Sequence, residues 1–257
     1  MAAVDPWQVQ ADPEWAAAIA VAAVDYAVAV RIFARRGSPT PRLRRAAFAA
    51  GLILIAIALL SPLEHIAISS LLSFHLLQNV ILADWAPPLL VLGLTPAMLA
   101  AAEQRRWVRA LTSPPAALLL WLAAWYVLHV PTVYGYAVTH RWALGLEHLA
   151  FLTSGVVFWW AVLSPGRMRA QARLLFLFGA FIAAAPVSLG LALSHPLYPY
   201  YERAPRLWGI SPLEDQQIGG IAMAIEQAAI LFTACSIAFA VWLEEDEPGR
   251  PRVGFRA

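Results

Sequence analysis

Lysine is missing from this chain, cysteine occurs once, and charged residues of every kind make up only 13% of its 257 positions. Each shortage excludes something. The lone Cys235 rules out an intrachain disulfide and any site built from several thiolates. With charge so sparse, a hydrophobic share of 61% and a mean hydropathy of +0.64 rule out a soluble domain of this size. The basic residues are all Arg, and the formal net charge of +2 comes from short loops, which speaks against a nucleic-acid-binding face. The sequence has no phosphate-binding loop, dinucleotide fingerprint or Ser-His-Asp set, so it is read as a protein that is not an enzyme.

What is present is a series of long apolar runs. Seven spans are predicted, with six the main alternative, at about Trp15 to Ala34, Ala46 to Leu60, Leu71 to Leu92, Pro115 to Val130, Ala143 to Leu163, Ala172 to Ser194 and Ile218 to Leu243. Each approaches the roughly 20 helical residues that cross a hydrocarbon core of about 30 Å, the second and fourth being short. The fold class is therefore an all-α, polytopic membrane helical bundle forming a single domain over residues 1–257. A short segment 1–14 precedes it and a charged tail 244–257 ends it. No basic n-region or apolar h-region precedes Trp15, so no cleaved signal peptide is expected.

Arginine sets the orientation. Arg35, Arg36, Arg42, Arg44 and Arg45 lie between spans one and two, Arg105, Arg106 and Arg109 between three and four, and Arg167 and Arg169 between five and six. The alternate connections carry none, Arg141 alone, or Arg203 with Arg206. By the positive-inside rule the N-terminus is expected outside and the C-terminus in the cytoplasm. The repeated S-P-L-E at Ser61 to Glu64 and Ser211 to Glu214 has the capping-box pattern and predicts two helix starts outside the membrane. Thr95-Pro96 carries a weaker start signal, and Ala97 to Leu111 reads as one cytoplasmic surface helix.

On that topology five of the six histidines, His65, His75, His129, His140 and His195, fall at or beyond the outer ends of the spans. His148 lies one to two turns inside. Imidazoles gathered at one depth suggest a metal or haem site. Glu147 and His148 in span five, His75 in span three, His129, His195 and Met223 of span seven are expected to converge in the outer third of the bundle. His75 and Asn79 are four apart, on one helix face. His65 and His140 read as structural, and Tyr198, Tyr200, Tyr201, Trp142 and Trp208 as interface aromatics. A second set of intramembrane polar residues comprises Asp25, Asp84 and Glu226 near the midplane, with Asp215 near the start of span seven. No Arg lies at the depth of the first three, so they are expected to be protonated, cation-paired or beside internal water.

Several blocks resemble a known family in order and spacing. They are F-H-L-L-Q-N and A-P-P-L-L-V-L-G within Phe74 to Gly93, W-Y-V-L-H-V-P at Trp125 to Pro131, E-H-L-A-F-L at Glu147 to Leu152 and F-W-W-A-V-L-S-P at Phe158 to Pro165. S-H-P-L-Y-P-Y-Y at Ser194 to Tyr201 and D-Q-Q-I-G-G-I-A-M at Asp215 to Met223 complete the set. Together they resemble the CtaG-type cytochrome c oxidase assembly factors of bacteria. The resemblance implies a multi-pass inner-membrane protein in the lipid bilayer, with cytochrome c oxidase subunits as partners, which helps copper reach a haem-copper oxidase from the extracytoplasmic side. It makes His75, His129, His148 and His195 copper-ligand candidates, with Met223 a soft auxiliary donor. The chain departs from the family pattern at Asn79, where a second His is common, and at Ala224, Glu226 and Gln227, where Trp, Pro and Gly are common. Two other functions fit the residues: a proton- or cation-coupled transporter relaying through Asp25, Asp84 and Glu226, and a haem protein ligated by His75 and His148.

The arginine pattern makes a direct prediction. A reporter fused after Leu243 is active only in its cytoplasmic form and one inserted near Ala204 only in its exported form; the reverse pattern inverts the topology.

Overall fold

A computed structural model describes residues 5–9 and 12–246. The predicted segments 1–14 and 244–257 therefore fall partly outside the described residues. Among these there is helix and no strand. The helices are α1 (Pro13–Arg35), α2 (Arg42–Leu60), α3 (Pro62–Ser69), α4 (Leu72–Val80), α5 (Ala86–Gly93), α6 (Pro96–Glu103) and α7 (Arg106–Leu111). They continue with α8 (Pro114–Leu128), α9 (Pro131–Thr139), α10 (Arg141–Leu163), α11 (Ala170–Leu193), α12 (Pro199–Arg203) and α13 (Pro212–Asp246). A π-helical turn, Ile81–Trp85, joins α4 to α5. Six elements are long and apolar enough to cross a membrane: α1, α2, the α4–α5 stack, α10, α11 and α13. The pair α8 and α9 makes a seventh only as a broken span, bent by 77°.

The expected span four is thus the exception. Its 15 residues of α8 rise only about 22 Å. Pro131 stops the chain from continuing straight, because proline has no N–H and disfavours helical geometry in the residue before it. Val130 takes extended geometry and α9 turns away. Backbone groups freed by such a break need internal partners in a membrane. Here the His129 carbonyl accepts from the Tyr198 hydroxyl at 2.9 Å.

Tight backbone contacts hold the centre of the bundle. Gly155 of α10 lies against the Ala83 carbonyl and the Pro87 ring, and any side chain there would collide with the π-helical turn. Gly51 and Gly93 bring α2 and α5 equally close, through Leu90 and Phe48. One face of α13 runs along span three: Asp215 accepts from the Leu72 and Ser73 amides, Gly219 meets Leu76, and Glu226 accepts from the Trp85 indole. Trp121, Trp125, Phe151, Phe158, Leu76, Leu82 and Leu177 fill the core between these helices. By contrast, α1 has no buried residue; its Trp15 packs against His148 of α10 and its Tyr26 against α2. The Tyr26 ring stacks on Phe48 at 3.8 Å, and its hydroxyl donates to the Gly93 carbonyl at 2.8 Å.

Two local expectations are corrected. The predicted surface helix from Ala97 to Leu111 is two helices, because Arg105 is extended and breaks the run between α6 and α7. The two S-P-L-E boxes also differ. At Ser211 the box closes fully, with the Glu214 amide donating to the serine hydroxyl and the Ser211 amide donating to the Glu214 carboxylate. At Ser61 the hydroxyl accepts from the Leu63 amide, but Glu64 turns inward to Gln78 and leaves the box half made. The helix it starts, α3, ends at Ser69 and does not run on into span three.

A buried histidine cluster as candidate metal site

The cluster begins with the start of α4. Leu71 has no capping side chain, so the Leu72 and Ser73 amides depend on Asp215, which reaches across from α13 and accepts from both at 2.9 Å. Asp215 also receives Arg206 at 3.0 Å, and Arg206 in turn donates to the Ser70, Tyr201, Ile210 and Ser211 carbonyls. This hub fixes α4 and α12 together. It therefore places Tyr201 opposite His75, three residues into α4.

The ring of His75 is fully buried, and its Nδ1 lies 2.8 Å from the Tyr201 hydroxyl. That hydroxyl is also 2.8 Å from the Ala67 carbonyl, which can only accept. A phenol has one proton, so it donates to Ala67 and accepts from the His75 ring. Burial, with nearby carboxylates adding, holds the Tyr201 phenol well above its usual range, which keeps that proton in place. The network assigns His75 as the Nδ1–H tautomer with a free lone pair on Nε2. This Nε2 makes no hydrogen bond and faces Glu147 Oε1 at 3.5 Å. A proton on Glu147, or a cation between the two, would join them.

The other members follow the same pattern. His129 sits at the break after α8, with Nδ1 2.6 Å from the Trp125 carbonyl and a buried Nε2 without a partner. His148 lies next to Glu147 on α10, its ring centroid 5.9 Å from that of His75, and its buried Nε2 is likewise without a partner. Trp15 of α1 packs against it at 6.3 Å. Tyr134 of α9 stands between His75 and His129, 4.7 Å and 6.2 Å from their centroids. Asn79 donates to Glu147 Oε1 at 3.2 Å, while Asn79 Oδ1 and Glu147 Oε2 have no partner.

Three imidazole Nε2 atoms and one carboxylate oxygen, Glu147 Oε2, thus lie buried without donors, each costing on the order of 1–3 kcal/mol if left unmet. Such acceptors are met by a water, by a proton, or by a borderline metal cation of the kind imidazole binds. A histidine that ligates through Nε2 usually gives its other N–H to a carbonyl or similar acceptor, as His75 and His129 do here. Two imidazoles bound to one ion by bonds of about 2 Å stand roughly 6 Å apart between ring centroids, close to the His75–His148 separation. Among the described residues no three His, Cys, Asp or Glu groups already stand in a metal-holding arrangement. The fit is to a two-imidazole site.

The remaining predicted residues are distributed differently. His195 is exposed, and only its backbone carbonyl is tied down, by Gln216 at 3.0 Å. Met223 is buried on the α13 face that follows span three, one turn beyond Gly219. Asp215 is a structural clamp. Asp84 and Glu226 are buried together near the π-helical turn, and Trp85 donates to Glu226 at 2.8 Å. Asp25, by contrast, is exposed on α1. Tyr198 and Tyr201 are buried parts of the cluster and not belt aromatics, whereas Trp142 and Trp208 are exposed. Tyr201 is the buried residue of the five-residue α12, and Tyr198 is buried just before it.

The family model for the cytochrome c oxidase caa3 assembly factor, Caa3_CtaG, matches residues 24–245. The chain belongs to that family. A protein of Mycobacterium bovis described only as uncharacterized is 25% identical over 90% of this chain and 38% of its own length. An uncharacterized protein of Mycobacterium leprae is 26% identical over 69% of this chain and 31% of its own. The chain therefore spans less than two fifths of these relatives. No solved structure matches it. The family is described as an assembly factor for cytochrome c oxidase caa3, and six helices of the chain, seven with the bent pair, are long and apolar enough to cross a membrane.

Glu64 is a buried acid beside the cluster that sequence reading placed only in a cap. It receives the Gln78 amide, which also donates to the Ala58 carbonyl at 2.6 Å. Burial raises its carboxyl to about 7, with the Gln78 hydrogen bond opposing and the Asp12 charge adding. A carboxyl that binds its proton more tightly when folded contributes stability in full below its unfolded pKa and loses it as pH rises through the folded one. The melting temperature in detergent is expected to fall from about pH 4.5 to about pH 7, with a slope of at most about 1.4 kcal/mol per pH unit from this group. Glu64→Gln should flatten that segment of the profile. An identical profile in the variant would assign the dependence to other groups.

Proposed function

We propose that this member of the caa3 assembly factor family holds Cu(I) between His75 and His148 at the extracytoplasmic side and passes it to a nascent haem-copper oxidase subunit. The observation that carries the reading is the set of buried Nε2 atoms without partners, on rings whose other nitrogen is in two cases already bonded. Copper is the cargo, and Cu(I) accepts the low coordination number that two imidazoles supply. Glu147, held by Asn79, lies close enough to balance the ion's charge. His129 offers a third nitrogen across Tyr134, the kind of intermediate stop that lets a cargo ion leave.

In this reading Asn79 has taken over the orientation of Glu147 in place of a second imidazole on α4. The arginine-poor end of the bundle, where α3, α9 and α12 lie, is the outer end by the positive-inside rule. The short α12 forms the cover through which the ion would exchange, since it carries Tyr201 over His75.

Deleting the chain should lower assembled oxidase, and added copper should partly restore it. His75→Ala and His148→Ala should each mimic the deletion while the protein accumulates normally, with copper retained by the purified protein falling about tenfold or more. Asn79→His should retain copper at least as well as the unaltered chain. Oxidase levels unaffected by deletion, or copper retention unchanged in both histidine variants, would contradict the proposal.

A further inference from the structure

The outward face of α1 poses a problem that the histidine cluster does not explain. Asp25 lies 12 residues after Pro13 and 10 before Arg35, so helical rise puts it about 18 Å and about 15 Å from the two ends, near the middle of the hydrocarbon. It is exposed, on a helix with no buried residue. The half-buried residues Trp15, Ile19, Ala22, Tyr26, Ala29, Val30 and Phe33 form the side toward the bundle, and Asp25 lies beside that side at its edge. A carboxyl facing lipid at that depth costs several kcal/mol, so such residues nearly always have partners.

The surroundings of Asp25 form a seam. Ala18, Val21, Asp25, Val28 and Ile32 follow one another at alternating spacings of three and four residues, and all are exposed, Val21 at 59%, Val28 at 45% and Ile32 at 42%. This is the repeat with which one helix packs along another, and a single polar group within it specifies register and partner. Small and β-branched side chains there allow close approach in a membrane.

A second copy does not complement this face. Copies share one orientation in the membrane, so a symmetric pair would set Asp25 against Asp25. The nearest basic residue on α1 is Arg31, six residues and about 9 Å away along the axis. No other described span carries Arg near mid-depth. We infer that the Ala18–Ile32 seam of α1 is the docking face for a membrane-spanning helix of another protein, one that presents Lys, Arg or His at the depth of Asp25. This does not depend on copper binding: Trp15, the α1 residue that packs against His148, lies outside the seam.

The test is a photo-crosslinking residue placed at Val28 in the full chain in its native membrane, with Leu175 of α11, 72% exposed, as the control position. The expected result is an adduct at Val28, absent at Leu175, with a membrane protein whose cross-linked helix carries a basic residue at mid-span. Asp25→Leu, which suits both helix and lipid, should lower that yield about tenfold while the melting temperature holds. Asp25→Lys paired with an acid in place of the partner's base should restore it. Adducts only with lipid or a second copy, a mapped helix without a basic residue, or a yield unchanged by Asp25→Leu would overturn the inference.

Discussion

An ion pair between the half-buried Arg206 and the buried Asp215 organises the outer end of this bundle. Span three begins without a capping side chain of its own, and its first amides are met from span seven by Asp215. Pairs of this kind contribute little net stability, because desolvation offsets attraction, yet losing one partner leaves a costly orphan. Their value here is positional. The same Arg206 gathers carbonyls from both sides of α12, so the helix that bears His75 and the helix that bears Tyr201 are set by one group of contacts.

The chemistry of the cluster follows from that placement. Tyr201 holds the His75 ring by Nδ1 and so commits Nε2 to the interior, while the break after α8 turns His129 to bond its own Trp125 carbonyl. Neither ring is free to reorient toward water. Pre-arranged lone pairs that lack donors are expensive in a protein interior and useful to a metal ion, which meets them without reorganisation. Glycine contacts at positions 51, 93 and 155 keep α2, the span-three stack and α10 closely packed.

Much of this was legible in the sequence. Long apolar runs located the spans, and E-H on span five with F-H on span three indicated that imidazoles would meet at one depth. What failed to show was local and geometric. Pro131 announced a break but not a 77° turn, and Ile81 to Trp85 has no sequence mark of π-helical winding. Glu64 occupied the third position of a capping box, where its twin Glu214 does cap, but tertiary contact with Gln78 prevailed over the local bond. His195 and Asp25 were grouped by depth alone. Depth carries no information about the direction a side chain faces, and both face outward.

The central claim is that His75 and His148 share one ion. X-ray absorption on the purified chain loaded with Cu(I) addresses it most directly. The account predicts a low-coordinate shell with two imidazole nitrogens at about 2 Å, reduced to one by either His75→Ala or His148→Ala. A sulfur-dominated shell, or a spectrum that neither substitution alters, would contradict it.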